Sequence, residues 1–160
     1  MQKNILLSSL ALVFAAIVSF TTIGSKNNSN IVWYDFQEGY DLAVKQEKMI
    51  MVDMYTEWCG YCKLMDKNTF SDTGIIHKIN KNFIAIKFNP EIDAKYLVDG
   101  KVMSSGELKL WLGGGKHYGY PTTYFWTKPH KNNKIDLLVG YQKPKEFDRM
   151  LDKYIAENSN

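Results

Sequence analysis

Two cysteines separated by two residues are the side chains in this sequence best suited to chemistry. Cys59 and Cys62 are the only cysteines of the chain, and they stand where a β-rich run gives way to a helical pattern. A disulfide at this spacing closes a small ring, and the unpaired N–H groups at a helix N-terminus favour the thiolate of the first cysteine. We therefore predict Cys59 as a nucleophile and Cys62 as the thiol that resolves a mixed disulfide.

Two other uses of a cysteine pair stay open at this point. A structural zinc site needs four ligands, but His77, His117 and His130 lack the spacing of a zinc motif, and we predict no metal. An inert structural disulfide is the second alternative, although a staple across so short a loop adds little stability.

One acid lies inside the apolar run that precedes the cysteines. Asp53 stands within residues 49–55, a run that is apolar on both faces and is typical of a central buried strand. Burial raises the pKa of an unpaired carboxyl. We predict that Asp53 accepts the proton of Cys62 when that thiol must ionise; the alternative is a hydrogen-bonded acid with a structural role only.

The elements that position these residues follow from the hydrophobic pattern. Strands are predicted at residues 31–33, 49–55, 83–88, 122–126 and 135–139. Helices are predicted after Asp35, at the cysteine motif, after Ser71 or Asp72, and after Ser104, and a last helix has Pro144 in its first turn. This order, βαβα(α)β followed by ββα, indicates one α/β domain. Residues 91–119, which include the helix after Ser104, have a less regular hydrophobic pattern than the rest of the domain. The glycine run 113–115 is predicted to end that helix and act as a flexible hinge.

The first residues of the chain read as a targeting segment. One lysine precedes an uncharged stretch in which residues 10–18 are all apolar, and small residues follow up to Gly24. This is the pattern of a secretory signal peptide. We predict a signal peptide at residues 1–24 and a mature domain at residues 25–160, exported to the periplasm. The alternative is an uncleaved N-terminal membrane anchor.

Composition excludes several other classes of protein. The chain has 160 residues, a formal net charge of +3, 45% hydrophobic residues and 23% charged residues. These proportions are those of an ordinary globular domain and exclude a disordered or fibrous chain. A charge of +3 is too weak to indicate nucleic acid or an anionic membrane surface as a partner.

Three segments together resemble the thioredoxin-like superfamily. Residues 51–63, MVDMYTEWCGYCK, look like the active-site strand and motif of thioredoxins, and Tyr120-Pro121-Thr122 resembles their cis-proline site. Asp53 matches the buried acid of the family, and Lys87 matches the lysine that pairs with it. The resemblance implies a thioredoxin fold, with a central mixed sheet flanked by helices and an insertion before the cis-proline strand.

A narrower resemblance points to exported members of this superfamily. Residues 62–72, CKLMDKNTFSD, are similar to the segment that follows the active site in the periplasmic C-terminal domain of the DsbD family, the thiol:disulfide interchange proteins. Lys67 stands where cytosolic thioredoxin has a kinking proline. The dipeptide between the cysteines is Gly-Tyr rather than Gly-Pro, which leaves the redox potential open.

The resemblance implies a monomeric protein-disulfide reductase that acts through a Cys59 mixed disulfide. An oxidase or isomerase in the same compartment, or a non-catalytic binding module, is the alternative. The implied partners are client proteins with disulfides and an upstream electron donor or acceptor protein, such as a membrane thiol reductase. No cofactor is implied beyond the redox-active cysteine pair. Lys87 would tune the pKa of Asp53.

Residues around the cysteines are predicted to contact clients. The predicted substrate-binding residues are Trp58, Gly60, Tyr61, Tyr120 and Pro121, with Trp111 and Tyr118 completing an aromatic rim around Cys59. A cis Pro121 would leave the backbone of Tyr120 free to pair with an extended client segment. We place the insertion at residues 99–116 and expect it to form a mobile flap over this site.

Overall fold

The computed structural model describes residues 29–127, 129, 131 and 134–158. The predicted signal peptide lies outside the described residues. Among the described residues, no helix has the length and apolar character needed to cross a membrane. The strands are β1 (Trp33–Tyr34), β2 (Met49–Met54), β3 (Phe83–Phe88), β4 (Lys95–Val98), β5 (Lys101–Ser104), β6 (Thr122–Trp126) and β7 (Ile135–Val139). The helices are α1 (Phe36–Gln46), α2 (Gly60–Leu64), α3 (Thr73–Asn82), α4 (Ser105–Leu112) and α5 (Pro144–Asn158), with a π-helical turn at Met65–Thr69.

The central sheet contains five strands in the order β1-β3-β2-β6-β7. β1, β3 and β2 are parallel, whereas β6 and β7 are antiparallel to their neighbours. β2 lies in the middle of the sheet, and all six of its residues are buried. This mixed sheet flanked by helices is the thioredoxin fold that the resemblance implied.

Alternation along β2 directs its side chains to two different apolar layers. Ile50, Val52 and Met54 belong to the layer formed with α1 and α4, and Met49 and Met51 belong to the layer formed with α3 and α5. By the same alternation, Asp53 faces the α3 and α5 side of the sheet. The acid is therefore buried on the side of the sheet that carries the helix following the cysteines.

The irregular stretch after β3 contains a hairpin that the hydrophobic pattern did not reveal. β4 and β5 pair antiparallel through a turn at Asp99-Gly100, where both residues have positive φ. The side chain of Gln37 on α1 pairs with this hairpin: its Oε1 accepts the N–H of Leu97 at 2.8 Å, and its Nε2 donates to the carbonyl of Leu97 at 3.2 Å. The hairpin is thereby attached to the main domain along α1.

The expectation of a mobile flap at residues 99–116 is wrong. β5 and α4 occupy most of this stretch, and Leu108 and Leu112 of α4 are fully buried in the core. The predicted capping box is present, because the Ser104 side chain accepts the N–H of Glu107 and Glu107 accepts the N–H of Ser104. The glycine run does end α4, as predicted, with positive φ at Gly114 and Gly115.

Candidate active site

Cys59 and Cys62 form a disulfide at the start of α2, with their Cα atoms 5.3 Å apart. Cys59 is the N-cap residue, and its Sγ accepts the N–H of Cys62 at 3.1 Å. Both cysteines are buried, Cys59 at 4% and Cys62 at 3% exposure. The first sulfur thus accepts a backbone N–H of the first helical turn, a donor that also stabilises a thiolate at this position.

The loop between β2 and α2 fixes the position of Cys59. The N–H of Tyr55 donates to the carbonyl of Phe88 at the end of β3 (3.0 Å), so the chain leaves the sheet at a defined place. The N–H of Cys59 then donates to the carbonyl of Thr56 at 3.1 Å. Thr56 itself is buried, and its Oγ1 has no hydrogen-bond partner within the described part of the chain.

The helix that carries the cysteines widens immediately after α2. In the π-helical turn, the N–H of Phe70 donates to the carbonyl of Met65 at 2.9 Å. The segment before α5 supports this turn, because Thr69 Oγ1 donates to the carbonyl of Gln142 at 2.7 Å and the N–H of Gln142 donates to Met65 Sδ at 3.2 Å. The turn contains Lys67, the position at which cytosolic thioredoxin has a proline.

Asp53 is buried and paired with Lys87, as the resemblance implied. The Lys87 ammonium donates to Asp53 Oδ2 at 2.7 Å, while Asp53 is only 1% exposed. Oδ1 of Asp53 is also buried and accepts no hydrogen bond from the described residues.

A second carboxylate on the same lysine was not anticipated from the sequence. Asp66, in the π-helical turn, accepts a hydrogen bond from Lys87 Nζ at 2.7 Å. The ammonium also lies 4.8 Å from the ring centre of Trp33, 5.1 Å from that of Tyr55 and 5.4 Å from that of Phe70. Two carboxylates and three aromatic faces therefore hold this cation in place.

Burial controls the ionisation of this group of residues. Desolvation raises the pKa of Asp53 above its usual value, and the nearby charge and hydrogen bond of Lys87 only partly offset that rise. For Lys87, desolvation lowers the pKa, but Asp53 and Asp66 together more than offset it, so the net pKa is raised. The site therefore contains a lysine and an acid whose pKa values are both raised, the lysine by its two carboxylate partners and the acid by burial.

The mouth of the site is formed by the cis-proline loop and the residue before Cys59. The Tyr120–Pro121 peptide bond is cis, as predicted. Trp58 is 67% exposed, and its ring packs edge-on against Tyr120 with the ring centres 5.6 Å apart. The Trp58 indole N–H donates to both carboxylate oxygens of Glu91, at 3.0 and 3.1 Å. Trp58 therefore lies on the surface beside Cys59 rather than in the core.

The structure brings only part of the predicted aromatic rim together. Tyr61 is 63% exposed on α2, next to the cysteines. Trp111, in contrast, packs on Trp126 with ring centres 5.2 Å apart. Because Trp126 pairs with Ile50 at the opposite end of β2 from the dithiol, Trp111 does not belong to the rim. Tyr118 is half-buried on the segment that leads to the cis-proline, beside Gly113.

Gly60 leaves space at the dithiol. A Cβ atom at this position would meet no heavy atom within 4 Å.

No cluster of three or more potential metal ligands is present among the described histidines, cysteines and carboxylates. The buried cysteine pair, the buried acid Asp53 and the exposed aromatic side chains of Trp58 and Tyr61 together form a site suited to thiol–disulfide exchange.

The chain is similar in sequence to parts of two kinds of known protein. Rat spermatogenesis-associated protein 20 is 29% identical over 101 residues, which is 58% of this chain and 13% of that protein. The thiol:disulfide interchange protein DsbD of Pseudoalteromonas atlantica is 39% identical over 46 residues, which is 29% of this chain and 8% of that protein. This chain thus corresponds to a small part of each of these relatives.

The fold is similar to that of solved thioredoxins. A thioredoxin from Thermus thermophilus superposes with a TM-score of 0.60 at 22% sequence identity, over 81% of this chain and 90% of that one. The family model Thioredox_DsbH, described as "Protein of unknown function, DUF255", matches residues 21–146. With its cysteine pair, buried acid and cis-proline on a thioredoxin fold, the chain belongs to this DUF255 family of thioredoxin-like proteins.

Proposed function

We propose that this protein is an exported, monomeric thiol:disulfide oxidoreductase that reduces disulfides in client proteins. The observation that carries the proposal is the position of Cys59, whose Sγ accepts the N–H of Cys62 at 3.1 Å in the first turn of α2. A thiolate formed there on reduction keeps this donor. It is the attacking group that disulfide exchange requires.

The proposed reaction transfers two electrons from the protein to the client. The Cys59 thiolate attacks one sulfur of the client disulfide, a mixed disulfide forms, and the other client sulfur leaves as a thiolate. Cys62 then loses its proton to Asp53 and attacks Cys59 Sγ. This second step releases the reduced client and leaves the Cys59–Cys62 disulfide. No cofactor is needed, because an upstream dithiol protein supplies the two electrons that regenerate the thiols.

Two features favour the reducing direction. The first is the Trp58-Cys59-Gly60-Tyr61-Cys62 motif together with the buried Asp53, a combination that resembles that of reductases. The second is the resemblance of residues 62–72 to the DsbD segment, together with the similarity to a protein named as a thiol:disulfide interchange protein. A membrane thiol reductase is the kind of electron donor that this resemblance favours.

The reduction potential tests this direction. We expect equilibration with glutathione to give a value near that of thioredoxin, about −270 mV, whereas a value near that of DsbA, about −120 mV, would indicate an oxidase. A shift of about 30 mV corresponds to 1.4 kcal/mol for this two-electron couple. An isomerase would rearrange scrambled disulfides faster than it reduces them.

A non-catalytic binding module is the alternative from another class. Alkylation of the native protein after mild reduction distinguishes the two, because an oxidoreductase has one thiol that reacts well below the usual thiol pKa of about 8.5. A pair of cysteines without such a thiol would contradict the proposal.

Export is the part of the proposal that depends on residues 1–24. Cell fractionation followed by N-terminal sequencing of the isolated protein tests both the location and the cleavage after Gly24. Carbonate extraction separates a cleaved soluble product from an uncleaved anchor. Sedimentation of the isolated protein tests the expected monomer.

A further inference from the structure

Four side chains form a continuous chain of contacts across the mouth of the active site. Glu91 binds the indole N–H of Trp58, and Trp58 packs edge-on against Tyr120. On the other side of Tyr120, Lys109 of α4 donates from Nζ to the phenol oxygen at 2.9 Å, and the same Nζ lies 4.6 Å from the centre of the ring. A negative and a positive charge therefore stand at opposite ends of an aromatic pair beside Cys59.

Glu91, Glu57 and Lys109 differ in how much of their hydrogen-bonding capacity is already used within the protein. Both carboxylate oxygens of Glu91 accept the Trp58 indole N–H. Glu57, the other acid before the cysteines, lies near the Tyr55 hydroxyl. An ammonium has three N–H donors, and Tyr120 is the only partner that the described part of the chain offers to Lys109. Lys109 thus has hydrogen-bonding capacity for an incoming group.

We propose that Lys109 is a specificity-determining residue that favours client segments with a carboxylate next to the attacked cysteine. The inference rests on the proposed function, since it concerns which clients approach Cys59. Tyr120 directly precedes the cis-proline and contacts the residue before Cys59. A client segment lying over Tyr120 therefore brings its flanking side chains close to the Lys109 ammonium.

The contact between Lys109 and Tyr120 also restricts the position of the charge. A free lysine side chain samples many rotamers, whereas this one is held by a hydrogen bond and by the ring face. A charge that is already positioned loses less entropy when it pairs with a carboxylate. For the Lys109 ammonium and a client carboxylate in close contact near water, the attraction corresponds to mixed-disulfide formation that is about fivefold faster.

Mixed-disulfide formation measures this preference without assuming a direction of electron flow. The Cys62→Ala protein retains Cys59 and is mixed with peptides that have blocked termini and one cysteine activated as a 2-thiopyridyl disulfide. The Cys59 thiolate attacks the peptide sulfur and releases neutral 2-thiopyridone, whose absorbance gives the rate. Three peptides carry Asp, Asn or Lys on both sides of the cysteine. Each rate is divided by the rate of the same peptide with 2-mercaptoethanol, which removes its intrinsic reactivity.

We expect the Asp-flanked peptide to react about fivefold faster than the Asn-flanked one, and the Lys-flanked peptide to be the slowest. Adding Lys109→Gln should bring the Asp-to-Asn ratio to about one, and Lys109→Glu should invert it. Lys81→Gln is the matched control, because Lys81 lies in the last turn of α3, at the end of the sheet away from the dithiol. Salt should reduce the ratio in the parent but not in Lys109→Gln.

An Asp-to-Asn ratio that Lys109→Gln leaves unchanged would overturn the proposal, as would a parent protein that reacts fastest with the Lys-flanked peptide. Failure of the proposed function looks different. In that case the protein with both cysteines does not turn over client disulfides with a reductant, whatever charge preference Cys59 shows. The two results are obtained independently.

Discussion

Replacing Lys87 with methionine should destabilise the fold strongly at neutral and alkaline pH and only weakly in acid. Asp53 is 1% exposed and Lys87 is the hydrogen-bond donor found for its carboxylate. Removing one partner of a buried ion pair costs about 3–5 kcal/mol, because the remaining charge is buried without compensation. Asp66 is also lost as a partner, but its side chain is 51% exposed, and an exposed pair contributes about 0–1 kcal/mol.

The pH dependence follows from the pKa of Asp53. Burial already raises this pKa in the parent, and Lys87 is the group that lowers it. Without Lys87 the folded-state pKa rises further above the unfolded value of about 3.9. Between those two values the folded state binds more protons than the unfolded state, so the stability of the variant falls as the pH rises. As the pH falls towards the unfolded pKa, the buried carboxyl of the variant takes up its proton, and the difference from the parent approaches the loss of packing and hydrogen bonding alone.

Two comparisons separate charge burial from packing. Asp53→Asn/Lys87→Met removes both charges and should recover most of the stability that Lys87→Met loses. Lys78→Met is the matched control, because Lys78 also pairs with two aspartates, Asp148 at 2.6 Å and Asp152 at 2.7 Å, but on the surface. We expect that control to lose about 0–1 kcal/mol.

Urea unfolding of the oxidised proteins, followed by far-ultraviolet circular dichroism at several pH values from about 4 to 8, measures these differences. The reasoning is refuted if Lys87→Met loses the same free energy of unfolding at both ends of this range. It is equally refuted if the double variant is no more stable than Lys87→Met.

Three further predictions concern the dithiol and the helix that follows the hairpin. Cys62→Ala should accumulate mixed disulfides with clients, because the attacking thiol remains while the resolving thiol is absent. Cys59→Ala should abolish exchange. Non-reducing electrophoresis detects both outcomes. Asp53→Asn should slow the resolution step mainly below about pH 8, where Cys62 needs a base. Single-turnover reduction of insulin disulfides at a series of pH values measures the rate of this step. An unchanged pH profile would mean that Asp53 has a structural role only. Ser104→Ala removes one half of the capping box with Glu107 and should cost about 1 kcal/mol in chemical denaturation, with no change in the reduction potential.

The strongest local patterns in the sequence correspond closely to the observed elements. The run 83–88 coincides with β3, the runs 122–126 and 135–139 coincide with β6 and β7, and Pro144 stands at the first position of α5. Such strands are indicated locally, because short runs rich in β-branched and aromatic residues and bounded by turn residues favour a strand. The dithiol and its place at a strand-to-helix junction were equally predictable from the sequence, since they depend on residues adjacent in the chain.

The hairpin β4–β5 and the place of Trp111 depended on contacts between distant residues. In sequence β4 is Lys-Tyr-Leu-Val, with three apolar residues in a row, so the segment lacks the alternation of polar and apolar residues that indicates a half-buried strand. Its stability comes from pairing with β5 and from Gln37 on α1. Trp111 is close to the cis-proline in the sequence, but α4 directs it to Trp126 at the far end of the sheet.

The sequence by itself indicated one α/β domain, the cysteine pair and a buried acid, because each is a short motif or a regular apolar run. The thioredoxin fold and the pairing of Asp53 with Lys87 were implied by the family resemblance, since these two residues are 34 positions apart. Only the tertiary structure decided what surrounds them. Asp66 reaches Lys87 from a π-helical turn, and Lys109 reaches Tyr120 across the gap between α4 and the cis-proline loop. These charges are ordinary surface residues in the sequence pattern. They become part of the site because chain packing brings residues that are far apart in sequence within hydrogen-bonding distance, and no local pattern encodes such a contact.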